Sequence, residues 1–419
     1  MMPPHDTDPD TPAAAAPETG TDGPAPLPVV RLKPKANARA VRRGFPWIFA
    51  DELVTDRRTR ALAPGTIAWL EDAERKPLAR VAVNPNSKII ARVIDREGRG
   101  IPDHDWFVAR LRRALALREA LYDRPFYRLV HAEADGLPGV IIDRFGDIAV
   151  IQPNAAWAEL LLDPLAEALA EVTGVTTILK NAGGRGRTLE GLDDADAVMA
   201  GAAPDAPVPV EMNGATYMAD LTGGQKTGLF YDQRENQAFA ARFARGQDVL
   251  DVFSHVGGFA LAALAHGAQS ALSVDGSAPA LELAEAGARA SGTADRFETR
   301  QGDAFDVLAA LGGEGRRFGL VICDPPAFAP AKPALEAGLR AYERVARLAA
   351  PLVAPGGTLV LCSCSRRRLG CVPGREPARH RPGRAPRAQL LYTGQAGPDH
   401  PLLPQLAETG YLKALVFRL

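Results

Sequence analysis

The apolar positions of this chain change their period part-way along it. From about residue 246, DVLDVF, SALSVD, FETRQGD, FGLVICD and GTLVLCS read as strands. GFALAALAHGA, APALELAEAGARA, DVLAAL and EAGLRAYERVARLAAPLVA read as the helices between them. Apolar strands separated by amphipathic helices predict a mostly parallel, doubly wound Rossmann-like sheet covered on both faces. Upstream, TIAWLED, LARVAVN and IIARVID are short runs parted by turn residues and predict a small β-rich unit over 29–100. Residues 104–122 carry apolar side chains at helical spacing. YRLVHAEA, GVIIDRFG and DIAVIQ then flank a turn holding Asp135, Gly136, Pro138 and Gly139. The helix AELLLDPLAEALAEVTG and the strand VTTILKN complete an α/β linking unit over 101–205, with a further short strand in VPVEMNG. The third unit is 206–419. Residues 1–28, rich in Pro, Ala, Thr and Asp, cannot bury a core and are expected to be disordered.

Composition narrows the function classes. The formal net charge is −1, so a nucleic-acid partner must be met by a local patch rather than a global field. Lys33, Lys35, Arg39, Arg42 and Arg43, followed by Phe45, Trp47 and Phe49, form such a patch. It suits phosphate contact, and equally suits a solvated basic turn beside a packed tryptophan. The cysteines Cys323, Cys362, Cys364 and Cys371 are too few and too clustered for a disulfide framework, which fits a reducing cytoplasm. No apolar run approaches the ~20 residues of a membrane helix. The N-terminus has neither the basic nor the apolar region of a signal peptide.

Chemistry gathers at the predicted strand ends. VLDVFSHVGGFA ends a strand near Asp251 and starts a helix after Gly257 and Gly258, where a ligand can approach backbone. The next strand ends at Asp275, a carboxylate placed to accept both hydroxyls of a ribose. Nicotinamide-binding domains place an acid similarly, but G-x-G-x-x-G is missing. Asp303, in QGDAF, can hold an exocyclic amine or simply cap the following helix. Cys323-Asp324-Pro325-Pro326-Ala327-Phe328 makes a rigid turn that presents Asp324 and backbone carbonyls at the sheet edge, an element a dehydrogenase does not need. Cys362-Ser363-Cys364-Ser365 follows the last strand. Alternation assigns Cys362 to packing and Cys364 to a candidate nucleophile. A zinc site from Cys362, Cys364, Cys371 and His380 lacks paired C-x-x-C spacing, and no metal is expected.

Taken together, TGLFYDQRENQ, DVFSHVGGFALAAL, VDGS, GDAFD, DPPAF and SCS resemble the PUA-containing class I ribosomal RNA methyltransferases, in which a PUA domain, an α/β linking domain and a Rossmann-like domain follow in order. PWIF, HAEADGLPGVIIDRFGD, GPDHP and YLKALVF are also similar to that family, and the likeness spans about 29–365 and 389–419. It implies S-adenosylmethionine as cofactor and ribosomal RNA, of the large subunit, as partner; a homodimer is one arrangement it leaves open. It implies that Tyr231, Gln233 and Arg234 close over the cofactor, that Asp251 and Gly257 lie near its methionine end, and that Asp275 and Asp303 hold ribose and adenine. Among members similar to cytosine-C5 enzymes, the cysteine corresponding to Cys364 attacks the base, with Asp324 binding its polar edge. Guanine methylation without a covalent step, an NAD-dependent oxidoreductase, and a non-catalytic RNA-binding protein are the alternatives.

Residues 366–388 depart from that pattern. The fold requires a helix after the last predicted strand, yet RRRLGCVPGREPARHRPGRAPRA holds four prolines, eight arginines and almost no apolar side chain. A pair of compensating frameshifts accounts for it. Leu369 to Pro373, shifted one nucleotide forward, can encode Leu-Asp-Ala-Phe-Arg, a helix start. A basic RNA-binding loop is the other reading.

Overall fold

The computed structural model describes residues 27–97, 101–223, 228–328, 335–364 and 388–419. The acidic leader up to residue 26 and nearly all of the anomalous 366–388 stretch therefore lie outside the described residues.

A first sheet gathers β1 (Val29–Arg31), β2 (Trp47–Ile48), β3 (Thr66–Glu71), β4 (Pro77–Val83) and β5 (Ala91–Asp95) in the order β1-β3-β4-β5-β2. Its core is Val30, Ile48, Leu53, Leu70, Val81 and their neighbours. The short helix Ala38–Arg42, capped by the Asn37 side chain, carries Arg39 and Arg42 of the basic patch on its exposed side, with Arg43 at its C-terminal end.

A second sheet holds β6 (Phe126–His131), β7 (Val140–Phe145), β8 (Ile148–Pro153), β9 (Thr177–Lys180) and β10 (Ala197–Ala200), in the order β10-β9-β8-β7-β6. The helices His104–Glu119 and Leu162–Thr173 lie together and bury Trp106, Phe107 and Trp157 with the sheet. β11 (Val208–Met212) and β12 (Ala215–Ala219) form a hairpin.

The third sheet combines β13 (Asp248–Val252), β14 (Ser270–Asp275), β15 (Phe297–Gln301), β16 (Phe318–Cys323), β17 (Val353–Ser363), β18 (Gln389–Gly394) and β19 (Lys413–Arg418), ordered β15-β14-β13-β16-β17-β19-β18. The first five are parallel, and β19 runs antiparallel to both its neighbours. Every residue of the central β16 is buried. Val321 and Cys323 enter one core and Leu320 and Ile322 the other, as period-two alternation requires of a strand covered on both faces. The expected helix over EAGLRAYERVARLAAPLVA stops at Ala349, because Pro351 cannot continue it, and β17 begins at Val353.

Buried charge joins the units. Trp47 donates from Nε1 to Glu133, 2.8 Å away, and Arg92 pairs with both Glu133 and Glu190. Arg118, with no exposed side-chain surface, forms two hydrogen bonds to Asp135 and donates to the Asp399 carbonyl at 2.8 Å. The Asp399 carboxylate accepts from the Arg128 backbone N–H through Oδ2 and pairs with His400 Nδ1 through Oδ1. The DGLPG and GPDHP segments, singled out separately in the sequence, are thus two halves of one junction. Among the described residues, no helix is long and apolar enough to cross a membrane.

Candidate active site

The carboxyl edge of the third sheet collects the acids. Asp251, on β13, is fully buried; its Oδ2 accepts from Ala260 N at 2.9 Å, while Oδ1 has no hydrogen-bond partner among the described residues. Burial pushes its pKa up to about 7, and the neighbouring Asp275 charge adds to the rise. Asp275, at the end of β14, is held at both oxygens: Oδ2 by His255 N at 2.8 Å and Oδ1 by Ser277 N at 2.9 Å. Asp303 is exposed and caps the helix Ala304–Gly313, with Oδ1 accepting from Phe305 N and Asp306 N. Both sequence readings of Asp303 are compatible with that position, because the hydrogen bonds use one oxygen.

The loop after β13 is conformationally unusual. Phe253 (φ 64°) and His255 (φ 49°) occupy the left-handed region, ahead of Gly257 (φ 78°). Such backbone costs on the order of 1–3 kcal/mol per non-glycine residue and collects at ligand sites. A Cβ on Gly257 would come within 3.2 Å of the Ala284 side chain, so glycine is needed there for both torsion and space.

The next two strand ends carry the candidate reaction groups. Asp324 leaves β16, and its Oδ2 accepts from Gln233 Nε2 at 2.8 Å. Gln233 is oriented in turn by Asn236, whose Nδ2 reaches Gln233 Oε1 at 2.7 Å and the Gln395 carbonyl at 3.1 Å. Cys364 leaves β17, half-buried, its Sγ 3.9 Å from the Pro325 carbonyl oxygen of the DPP turn. Cys362 and Cys323 are buried, which pushes both thiols up. Cys362 packs in the core and also hydrogen-bonds Gln233, the residue that holds Asp324. Two positions apart on one strand, Cys362 and Cys364 share a face, so alternation does not separate them. Phe328 anchors the turn against Tyr342, Phe305 and Phe253.

Three residues at this site carried no signal in the strand-end pattern. Lys413 opens β19 directly opposite Ser363; desolvation lowers its pKa, and the Cys364 sulfur acts in the opposite direction. His255 positions Asp275 through its backbone, and Asn236 positions Gln233. By contrast, Tyr231 and Arg234 turn towards the linking unit: the Tyr231 hydroxyl donates to the Arg144 carbonyl at 2.8 Å, and the Arg234 guanidinium lies 4.2 Å over the Tyr122 ring.

This edge suits a cation. An orphaned buried carboxylate oxygen, a fixed ribose-type acid and two further carboxylates make a negative rim, which attracts a sulfonium and ammonium and repels a pyrophosphate. Comparison with known families agrees. A PUA-like domain family matches residues 30–96, and an S-adenosylmethionine-dependent methyltransferase family matches residues 174–418.

The chain belongs to this methyltransferase family.

The methyltransferase is 36% identical to ribosomal RNA large subunit methyltransferase I of Vibrio cholerae over 79% of this chain and 84% of that protein. It is 34% identical to the protein of the same name from Erwinia tasmaniensis, over 92% and 98% of the two chains. A Streptococcus mutans structure described as a SAM-dependent methyltransferase superposes with a TM-score of 0.75, covering 94% of this chain and all of the other at 17% identity. A methyltransferase structure in complex with SAH gives a TM-score of 0.76 at 18% identity, with the same coverage. S-Adenosylmethionine is the cofactor of the family, and the acidic edge fits it.

Proposed function

We propose that this methyltransferase modifies a base of large-subunit ribosomal RNA, and that the base is cytosine, methylated at C5 through a transient adduct with Cys364. The observation that carries the reading is the contiguity of Cys364 and the DPP turn at adjacent strand ends, 3.9 Å from Sγ to the Pro325 carbonyl. The names of the relatives supply the RNA.

Asp251, Gly257, Asp275 and Asp303 would hold the cofactor, which when bound supplies an electrophilic methyl group on a sulfonium. Tyr231 and Arg234 brace the start of this domain against the linking unit, and Gln233 fixes Asp324. The Lys413 ammonium favours the thiolate of Cys364. That thiolate adds to C6 of cytosine: an S–C6 bond forms and the C5–C6 π pair moves onto C5, which cytosine otherwise presents as a poor nucleophile. Asp324 binds N3 or the exocyclic amine and stabilises the charge that develops on the ring. After C5 is substituted, water acting as base takes the C5 proton, the C5–H pair becomes the restored C5–C6 π bond, and the S–C6 pair leaves with the Cys364 thiolate. The base must leave its stack to reach this edge.

RNA carrying 5-fluorocytosine tests the reading, since fluorine cannot leave C5 as a proton does. A covalent protein–RNA species is expected with the native protein and not with Cys364→Ala. Full methyl transfer by Cys364→Ala would refute the adduct and favour guanine methylation, in which the DPPAF turn positions the base without a covalent bond.

A further inference from the structure

The first sheet holds a feature that methyl transfer does not use. Phe45, Trp47 and Phe49 form a triangle, with ring centroids 6.4 to 6.5 Å apart, along one wall of a cavity of about 270 Å³. Leu32 and Val41 line the cavity as well, and Asn37 and Glu52 are its polar lining groups. Phe49 is 37% exposed. Trp47 is fixed by its hydrogen bond to Glu133, so this wall is preorganised. Glu52 accepts from Phe49 N through Oε2 only.

The predicted basic patch alternates along the chain with residues that line the cavity, Leu32, Asn37, Ala40 and Val41, and the structure divides it. Lys33 donates to the Asp51 carbonyl and Arg42 is paired with Asp72. Lys35, Arg39 and Arg43 are exposed and have no ion pair among the described residues. An open aromatic wall beside unpaired cations is what a single nucleic-acid strand requires, with stacking for a base and charge for its phosphates. An apolar protein segment would gain nothing from the cations.

We infer that this cavity is a nucleobase pocket, separate from the methyl-transfer site, that captures one unstacked base of single-stranded RNA and prefers guanine. The preference follows from Glu52. An ionised carboxylate only accepts. Guanine offers N1–H and an N2 amino hydrogen side by side, whereas uracil offers one N–H between two carbonyl oxygens, which the carboxylate repels. The inference rests on the reading of the substrate as RNA and gives that RNA a second point of attachment.

Fluorescence anisotropy with the full chain tests it, using labelled oligouridylate strands that carry either guanosine or uridine at the centre. The native protein is expected to bind the guanosine strand more tightly. Phe49→Ala, at the most exposed of the three rings and with an unchanged circular-dichroism spectrum as the folding control, should weaken that strand about tenfold while leaving the salt dependence unchanged. Glu52→Gln, which keeps an acceptor for Phe49 N, should erase the guanosine preference. Native and Phe49→Ala proteins binding the guanosine strand equally would overturn the pocket and leave the RNA reading intact. Failure of the native protein to bind either strand at low salt would overturn both.

Discussion

The side-chain amide of Gln233 donates to the Asp324 carboxylate at 2.8 Å, joining residues 91 positions apart. The sequence resemblance implies that Gln233 meets the cofactor; under the proposed function this bond instead makes it a positioning residue for Asp324, the group proposed to bind the base. A hydrogen bond to a charged group contributes about 1.5–3 kcal/mol. Gln233→Ala should therefore lower kcat roughly ten- to hundredfold, with S-adenosylmethionine affinity by calorimetry nearly unchanged. Lost cofactor affinity with intact kcat would return Gln233 to the cofactor.

Cys364→Ala should abolish methyl transfer and leave cofactor affinity in place, because the thiol meets the base. Cys362→Ala should lower transfer less than Cys364→Ala, since that buried thiol packs and hydrogen-bonds Gln233 and is not the proposed nucleophile. Transfer of labelled methyl is the measurement. It is made on the chain as it stands and on a chain with residues 366–388 replaced by their frame-restored sequence. Activity confined to the second would place the defect in that segment, and resequencing of the gene would decide its origin.

Asp251 predicts a proton signature. Its folded pKa of about 7 lies above the ordinary aspartate value of 3.8. Folding therefore favours the protonated form: this contribution to stability is present below about pH 4 and lost as pH rises through 7. A bound cation favours the carboxylate, so cofactor binding at pH 7 should release protons. Calorimetry in buffers of different ionisation enthalpy should detect the release in the native protein and its reduction in Asp251→Asn. Equal release by both would exclude Asp251 as its source.

Asp135→Ala should destabilise the fold by about 3–5 kcal/mol in urea titration, because it leaves the Arg118 guanidinium buried without its carboxylate. Arg112→Ala, which breaks an exposed pair with Glu171, should cost well under about 1 kcal/mol.

Within the basic patch, Lys35→Ala and Arg39→Ala should each flatten the salt dependence of RNA binding by about one unit of slope. Lys33→Ala and Arg42→Ala should do so less, since their charged groups already have protein partners. Equal slopes for all four variants would remove the distinction.

The third sheet was legible because its central strands β13, β14 and β16 are apolar on both faces and its acids sit at strand ends. Asp251, Asp275, Asp303 and Asp324 could each be placed by counting to the end of a strand. Gln233 and Lys413 could not: the first reaches Asp324 through tertiary packing, and the second is brought to Cys364 by antiparallel pairing of β19 with β17, which no local period encodes. Other signals were present and underused. Asn213-Gly214, at φ 52° and 76°, is the turn of the β11–β12 hairpin, and VPVEMNGATYMA contains that signature in full. Within the basic patch, a linear reading shows five cations alike, because the Asp72 carboxylate and Asp51 carbonyl that partner two of them lie in turns brought alongside by the fold.

The bond from Arg118 to the Asp399 carbonyl has a temporal side. The guanidinium belongs to a unit made early in translation, and its acceptor is made 281 residues later. At about 5–20 residues per second, tens of seconds separate the two on the ribosome. Throughout that interval the linking unit carries a half-finished socket, with Asp135 in place and the Asp399 strap still unwritten. The catalytic domain therefore closes onto a neighbour that has been waiting for it, and nascent chains halted before residue 399 should present that socket open to water and to chaperones.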